Sequence, residues 1–257
     1  MAATATGPAP GPDRARAATR SPARRPPSRR GPRHGLTSEQ VVAAAIGIAD
    51  ADRDLTPLSM RRVAESLDVG TMSLYTYVAS RAELVEAMLD SVSREAVAEL
   101  EKIGTDGWQE GLRRVAAGNW HLYLRHPWLL QVFTGRPGLG PNVIARYDLE
   151  LRVVDGIGLT DVEMDAAITL VHTHVEGVAR RKIEAERVVR RTGMTDAQWW
   201  EKTAPALAKV FDAARFPVAA RVGQAAGEEH QAAHRPEHEY AFGVERLIEG
   251  IAALVRR

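Results

Sequence analysis

Residues 58–81 read LSMRRVAESLDVGTMSLYTYVASR, and the pattern in this stretch decides the fold. Ser59 can cap a helix of about two turns whose apolar side chains recur at helical spacing. Asp68 and Gly70 bound a tight turn after that helix. A second, very short helix is predicted from Thr71 to about Tyr77. The stretch therefore predicts two short helices joined by a turn.

The second helix of this pair carries side chains that packing does not require. Leu74 and Val78 are its plainly inward residues, and the remaining side chains are hydroxyls, aromatics and one methionine. This plan is typical of a helix-turn-helix, whose second helix enters the major groove of DNA. A bare two-helix pattern also fits a packing unit that binds no DNA. The residues that follow the pair decide between these interpretations.

A longer motif runs through this stretch and past its end. It is Leu67-x-Val69-x-x-x-Ser73-Leu74-Tyr75-x-Tyr77-Val78, followed by Ser80-Arg81-x-x-Leu84. This motif resembles the signature of the tetracycline-repressor (TetR) family of one-component regulators, and the resemblance covers residues 36–92. It implies a helix-turn-helix head followed by a helix that acts as a lever to a ligand domain.

Composition limits the classes of protein to which the chain can belong. Its 257 residues are 45% hydrophobic and 26% charged and include no cysteine, so disulfides, thiolate metal sites and cysteine nucleophiles are excluded. No apolar run approaches the ~18 residues that a membrane span needs. We expect a soluble, cytoplasmic protein.

The net charge of +1 conceals an uneven distribution of charge. Residues 1–35 hold eight arginines and one acidic residue, whereas residues 36–94 hold five arginines and nine acidic residues, a net charge of −4. Residues 1–35 lack apolar periodicity and are predicted to be a disordered basic arm. The arm is either a solvated leader or a set of additional DNA contacts. The affinity of the 36–94 region for DNA must come from the placement of charges rather than from their sum.

Capping signals predict the remaining helices. Thr37 with Gln40, Ser80 with Glu83, Thr160 with Glu163 and Thr195 with Gln198 are the four capping-box pairs. Each precedes an apolar stripe of helical period, and no segment has the pattern of a strand. The predicted fold is all-α, with an N-terminal three-helix helix-turn-helix domain over 36–94 and a larger helical ligand-binding and dimerisation domain over 105–257.

The second domain alternates helices with loops. Asp106 is expected to cap its first helix, residues 135–142 to form a loop, and residues 223–237 to form a polar loop rich in Glu and His. The last helix is predicted from about Glu239 to Val255. Its broad apolar stripe is interleaved with small residues, which suits either a partner helix from a second subunit or the core of its own subunit.

Scattered positions in this second domain resemble the C-terminal ligand domain of tetracycline-repressor-like regulators. They are His126-Pro127-Trp128, the Gly-Arg-Pro-Gly loop at 135–138 and the ending Phe242-Gly243-x-x-x-Leu247-Ile248-x-Gly250. This resemblance is looser than the first and covers most of 105–257. It implies a dimer that binds a small molecule.

The first resemblance implies which residues contact DNA. Arg61, Thr71 and Met72 match positions that face base edges, where a guanidinium suits guanine and a thioether can lie against a thymine methyl. The positions that match phosphate contacts or complete the exposed face are Ser73, Tyr75, Thr76, Tyr77 and Arg81. A core role for the Tyr75 ring is the alternative at that position. A two-fold dimer would place two heads on a palindromic double-stranded operator.

The ligand domain is expected to enclose a mostly apolar cavity between helices. Its predicted lining comes from the Trp-rich segment 108–133, chiefly Trp120 and Trp128, and from His172, His174 and Glu176. Each of these side chains could instead belong to the packed core. By analogy with the family, a small apolar effector would release the DNA. Tetracycline repressors bind their drug with Mg²⁺, but no metal ligand can be placed here, so no metal or cofactor is predicted.

Other functions have weaker support in the sequence. His230, His234 and His238 are spaced by four, but Pro236 interrupts the helix that would align them on a metal. No nucleophile elbow or paired-carboxylate motif indicates an enzyme, so no catalytic residue is predicted. The alternatives to a ligand-responsive repressor are a ligand-independent architectural DNA-binding protein and a helical enzyme.

Overall fold

A computed structural model of the chain describes residues 35–102, 107–132, 138–230 and 235–256, with the side chains of all of these except 207–210. Over these ranges the chain forms ten α-helices and one 3₁₀ helix and contains no strand, which confirms the all-α prediction. The α-helices are α1 (Ser38–Asp52), α2 (Met60–Ser66), α3 (Thr71–Leu74), α4 (Arg81–Leu100), α5 (Trp108–Arg125), α6 (Pro141–Arg152), α7 (Asp161–Thr192), α8 (Asp196–Val210), α9 (Pro217–His230) and α10 (Pro236–Val255), and the 3₁₀ helix is Pro127–Gln131.

Several predicted features lie outside the described residues. They are the arm up to residue 34, the expected cap Asp106, Phe133, the first part of the 135–142 loop and His234.

The predicted caps set the helix starts. Thr37 and Gln40 form the expected reciprocal box, in which the Gln40 N–H donates to Thr37 Oγ1 at 3.2 Å and the Thr37 N–H donates to Gln40 Oε1 at 3.0 Å. Thr160 with Glu163 forms the same box at the start of α7. Ser80 caps α4 as predicted, but the Glu83 carboxylate accepts from the Ala79 N–H at 2.5 Å. The box at α4 is therefore displaced by one residue.

Helix α3 is the second helix of the predicted helix-turn-helix pair, called the reading helix below. It is shorter than predicted, since it ends at Leu74 rather than near Tyr77. After Leu74 the backbone tightens, because the Tyr77 N–H donates to the Leu74 carbonyl three residues back at 2.8 Å. Leu74 and Val78 face inward as predicted, with 0% and 4% of their surface exposed. The core alternative for Tyr75 is wrong, because 45% of that residue is exposed.

One continuous apolar core runs through the head and the ligand domain. In the head, α1 packs against α2 and α4, and α2 packs against α3; in the ligand domain, α7 packs against α5 and α10. The fully or almost fully buried members include Val41, Val63, Leu84, Met88, Leu112, Val115, Trp128, Ile168, Val171 and Val175. Burying a large aliphatic side chain contributes about 1.5–3 kcal/mol to the free energy of folding. The shared core therefore holds the helices of the head and of the ligand domain in fixed positions.

The predicted polar loop over 223–237 is wrong for most of its length. Residues 223–230 complete helix α9, and α10 begins at Pro236. Alanine, glutamine and glutamate favour a helix, but residues 223–230 contain no apolar side chain larger than alanine, so the apolar stripe that signals a helix is missing there. Proline suits the first helical position, where its missing N–H removes no hydrogen bond.

Part of the apolar stripe of helix α10 belongs to the core of its own subunit, and packing against a partner helix stays a prediction. Val244, Ile248 and Ile251 are buried within the subunit, whereas Phe242 on another face is 57% exposed. At Gly243, an added Cβ would overlap the His174 ring, so the glycine allows close approach of α10 to α7.

Leu74→Ala should destabilise the protein by about 2–5 kcal/mol, because the truncation leaves a cavity in the core beneath the reading helix. Met72→Ala is the matched control on the same helix, since Met72 is 79% exposed, and it should change stability by less than about 0.5 kcal/mol. Urea unfolding followed by circular dichroism measures both. Equal effects of the two substitutions would contradict the assignment of Leu74 to the core.

Candidate DNA-reading surface and ligand cleft

The residues predicted to contact DNA lie at α3 and the turn after it. Met72, Ser73, Tyr75 and Thr76 are exposed, whereas Thr71 and Tyr77 are half-buried. Because Leu74 and Val78 fix the inward side, the hydroxyls, the thioether and one aromatic ring face outward together. Such a surface can donate and accept hydrogen bonds and can contact a thymine methyl. The contacts with DNA remain predictions.

The two predicted DNA-binding arginines have different surroundings. Arg61 is exposed on α2, and its Nε lies 2.7 Å from Glu65 Oε1 one turn along the helix. Arg81 donates from Nε to the Leu58 carbonyl at 2.9 Å and from Nη2 to the Leu55 carbonyl at 2.7 Å. Arg81 therefore fastens the start of α4 to the segment between α1 and α2, whereas Arg61 lies on the surface of the head.

Helix α4 is fastened to the ligand domain through Asp90. Its Oδ1 accepts from the backbone N–H groups of Asn142 at 2.8 Å and Val143 at 3.2 Å, and its Oδ2 accepts from the Asn142 side chain at 2.7 Å. The carboxylate thus caps the positive end of α6. An added Cβ at Gly140 would overlap Asp90, so the glycine is needed for this close approach.

A cleft of about 660 Å³ lies between α4 and α5, with α6 at its base. Its walls combine short apolar side chains with charged ones. The lining residues are Glu95, Ala96, Ala98, Glu99, Leu100, Lys102, Arg114, Val115, Ala117, Gly118, Asn119, His121, Leu122, Arg125, Arg146 and Glu150. The volume suits a drug-sized molecule, and the charges make the site more polar than the predicted cavity.

A buried polar cluster forms the base of the cleft. Arg146 Nε donates to Glu150 Oε1 at 2.9 Å, Arg146 Nη2 donates to Asn119 Oδ1, and His172 Nε2 lies 2.9 Å from Glu150 Oε2. Glu150 is 2% exposed, Asn119 3% and Arg146 9%. Burial would raise the pKa of the Glu150 carboxyl, but Arg146 and His172 outweigh it and lower that pKa to about 2. The cluster presents fixed donors and acceptors to the cleft.

This cluster was not predicted from the sequence. Arg146 and Glu150 are four residues apart on α6, a spacing that usually indicates a solvated surface pair. Asn119 lies on a different helix, 27 residues before Arg146, so nothing in the sequence indicates that these side chains meet.

The predicted segment 108–133 contributes eight residues to the lining of the cleft, but the individual side chains singled out as ligand contacts do not line it. Trp120 is 8% exposed and its ring centroid lies 4.8 Å from that of Tyr240, and Trp128 is fully buried and donates its indole N–H to Asp50 Oδ1 at 2.7 Å. His174 Nε2 lies 3.2 Å from the Tyr240 carbonyl oxygen, and Glu176 pairs with Arg180 at 2.7 Å. None of these four lines the cleft; His172 alone of the predicted set reaches the buried cluster.

Two of the three histidines spaced by four near the C-terminus lie close together in the structure. The ring centroids of His230 and His238 lie 4.9 Å apart, and His234 lies outside the described residues. In the described part of the chain, no three His, Asp or Glu side chains are grouped so that they could hold a metal ion.

None of the described helices is both long and apolar enough to cross a membrane.

Comparison with known proteins identifies similar chains. Residues 101–255 match the family described as tetracyclin repressor-like, C-terminal domain. The HTH-type transcriptional repressor DrrR1 of Streptomyces coeruleorubidus is 41% identical over 227 residues, which are 88% of this chain and 81% of that protein.

Solved structures are similar over almost the same span. Apo ActR from Streptomyces coelicolor has a TM-score of 0.68 and 26% identity, and the match covers 86% of this chain and 96% of ActR. ActR in complex with actinorhodin also has a TM-score of 0.68, with 27% identity and coverage of 87% and 100%.

Glu150→Gln should flatten the acid dependence of stability. A carboxyl whose pKa is about 2 in the folded chain, against an ordinary value of 4.5, stabilises the fold above pH 4.5 and loses that contribution as the pH falls toward 2. Between pH 6 and pH 2, the free energy of unfolding of the parent protein should fall by roughly 3 kcal/mol more than that of the variant. Urea unfolding across this range measures it.

Glu245→Gln is the control for this experiment. The Arg113 hydrogen bond lowers the pKa of the Glu245 carboxyl, but that side chain is 43% exposed, so its effect on the pH profile should be smaller. Parallel pH profiles for the parent protein and Glu150→Gln would contradict the ionised buried pair.

Proposed function

This chain belongs to the tetracycline-repressor family of transcriptional regulators, and on that basis we propose that it represses transcription as a dimer on a palindromic operator and is released by a small molecule bound in the cleft. The surface around α3 reads the operator. The cleft between α4 and α5 receives the effector.

The observation that carries this proposal is the position of α4. Near its start, Leu84 is fully buried in the core of the head, and toward its end Glu95, Ala96 and Leu100 line the cleft. A 20-residue helix is about 30 Å long and moves as one body. A molecule that changes the spacing of α4 and α5 therefore changes the position of the reading helix. Its effect on DNA binding is limited by its differential affinity for the two arrangements.

The lining of the cleft supports an effector with an apolar body and polar substituents. Ala96, Leu100, Val115 and Leu122 supply apolar contact, while Asn119 and Arg146 supply fixed polar groups at the base. ActR has been solved with actinorhodin bound. We therefore replace the purely apolar effector predicted from the sequence with an amphipathic one.

An exposed stripe on α7 supports the dimer. Val162, Leu170 and the small residues Ala166, Thr173 and Gly177 face outward at helical spacing, and Phe242 is exposed on the adjacent α10. Exposed apolar side chains at such spacing suit packing against the same helices of a second copy. Two heads on a two-fold axis then match two half-sites of a palindrome.

A titration of the full chain against DNA from its own upstream region, with random DNA as competitor, tests the proposal. We expect about a thousandfold preference for one palindromic segment, with two subunits bound to each site. Arg61→Ala should weaken binding to that segment by about 1–3 kcal/mol and relax the preference at one base pair of each half-site. Arg221→Ala, an exposed arginine on α9, is the control. Equal affinity for both DNAs would favour an architectural DNA-binding protein.

Leu170→Asp and Phe242→Asp should convert the dimer to a monomer at micromolar concentration, because each places a carboxylate within the proposed apolar interface. Leu139→Asp is the control, since Leu139 is 84% exposed and lies before α6, away from this stripe. Analytical ultracentrifugation measures the mass of each variant. A dimer that survives both substitutions would place the interface elsewhere.

A further inference from the structure

His126 is buried at the junction of the head and the ligand domain. It is 3% exposed and follows the last residue of α5. Its Nδ1 lies 2.8 Å from Asp50 Oδ1 on α1, and its Nε2 lies 3.6 Å from Glu95 Oε1 on α4. One ring thus contacts a carboxylate of the head and a carboxylate of the ligand cleft.

Asp50 is held by two donors from the ligand domain. Trp128, which is fully buried, donates its indole N–H to the same Oδ1 at 2.7 Å. Because two buried rings converge on one oxygen of the partly exposed Asp50, a movement of His126 relative to α1 breaks a shared arrangement rather than a single surface contact. Hydrogen bonds to a charged group in such surroundings are stronger than neutral ones.

The other side of His126 borders the cleft. Glu95 and Arg125 both line the cleft and pair with each other at 2.6 Å, and Arg125 directly precedes His126 in the chain. A molecule that displaces this exposed pair shifts the residue next to His126 and the carboxylate that faces its Nε2. Within the described residues, Nε2 is shielded from solvent and has no hydrogen-bond partner, and the Glu95 carboxylate faces it at 3.6 Å.

The other polar contacts that join the end of α1 and the residues after it to the ligand domain do not reach the cleft. Arg53 pairs with Glu186 at 2.9 Å and Arg187 with Asp54 at 2.8 Å, and these side chains are partly exposed. The Leu55 N–H donates to Gln131 Oε1 at 3.1 Å. None of the residues in these three contacts lines the cleft. The contacts therefore hold the head in place but are not touched by a molecule bound in the cleft.

We propose that His126, held between Asp50 of the head and Glu95 of the cleft wall, is the positioning residue that transmits occupancy of the cleft to the reading helix. The inference rests on the proposed function and assigns part of its coupling, in addition to α4, to one side chain. Removing the two ring nitrogens weakens the coupling between the cleft and the head while leaving both sites in place.

The test fills the cleft by substitution, so it needs no identified effector. Gly118 lines the cleft, and an added Cβ there meets no atom within 4 Å, so Gly118→Trp places an aromatic group where the effector would lie. The affinity for the DNA segment selected by the titration is measured for the parent protein and for Gly118→Trp. The same pair is then measured in a His126→Phe background, which completes a double-mutant cycle.

Filling the cleft should weaken DNA binding at least about tenfold in the parent background and less than about threefold in the His126→Phe background. Asp52→Asn is the control background, because it breaks an ion pair with Arg62 inside the head, two residues from Asp50, and should keep the full effect. A merely structural role of His126 would lower affinity equally with and without the filled cleft.

Two further measurements secure the result. If His126→Phe does not fold, Glu95→Gln replaces it, since Glu95 is 42% exposed and its substitution should also reduce the effect of Gly118→Trp. Because the chain has no cysteine, Met72→Cys accepts a single spin label on each reading helix. Pulsed electron paramagnetic resonance should show that Gly118→Trp changes the distance between labels more in the parent background than in the His126→Phe background.

Additive effects of the filled cleft and His126→Phe, or no effect of Gly118→Trp on the parent protein, would overturn the inference. Specific binding to the operator would survive either result. Loss of that specificity in the parent protein would instead contradict the proposed function.

Discussion

The arrangement of the ligand domain around α4 depends on the Asp90 carboxylate. It accepts backbone hydrogen bonds from the first turn of α6 and so joins the lever helix to the base of the cleft. A helix start leaves several N–H groups without partners, and a carboxylate satisfies both their hydrogen bonds and their partial positive charge. The absence of a side chain at Gly140 makes the approach possible. Because this contact is polar and directional, it fixes the position of α6 along α4. The cleft lies on another side of α4, between α4 and α5.

Local signals made much of the fold predictable. Thr37 with Gln40 and Thr160 with Glu163 act within three residues, so the sequence alone determines where α1 and α7 begin. The inward positions of Leu74 and Val78 follow from helical spacing. The second half of α9 escaped prediction because residues 223–230 contain no apolar side chain larger than alanine, so the apolar stripe on which the prediction depended is absent there.

The cleft could not be predicted in the same way. Trp120 and Trp128 are plausible ligand contacts by residue type, but large aromatic rings also bury much apolar surface in a core. In the structure both rings are buried in the core. Arg146 and Glu150 look like a surface pair until the tertiary structure brings Asn119 and His172 beside them. Burying an ion pair costs solvation, so such a cluster stabilises a fold no better than well-packed apolar side chains of the same volume would. Its rigid geometry is better suited to choosing among ligands.

The acidic character of the head has a consequence for how the protein finds a site. The described part of residues 36–94 carries nine acidic side chains against five arginines, and two of those arginines, Arg61 and Arg62, are paired with carboxylates of the head itself. Each phosphate of random DNA therefore meets repulsion as well as attraction, and counterion release contributes little to the head's affinity. We expect encounters between the head alone and unrelated DNA to be brief, so any lasting hold on random DNA would have to come from the eight arginines of residues 1–35.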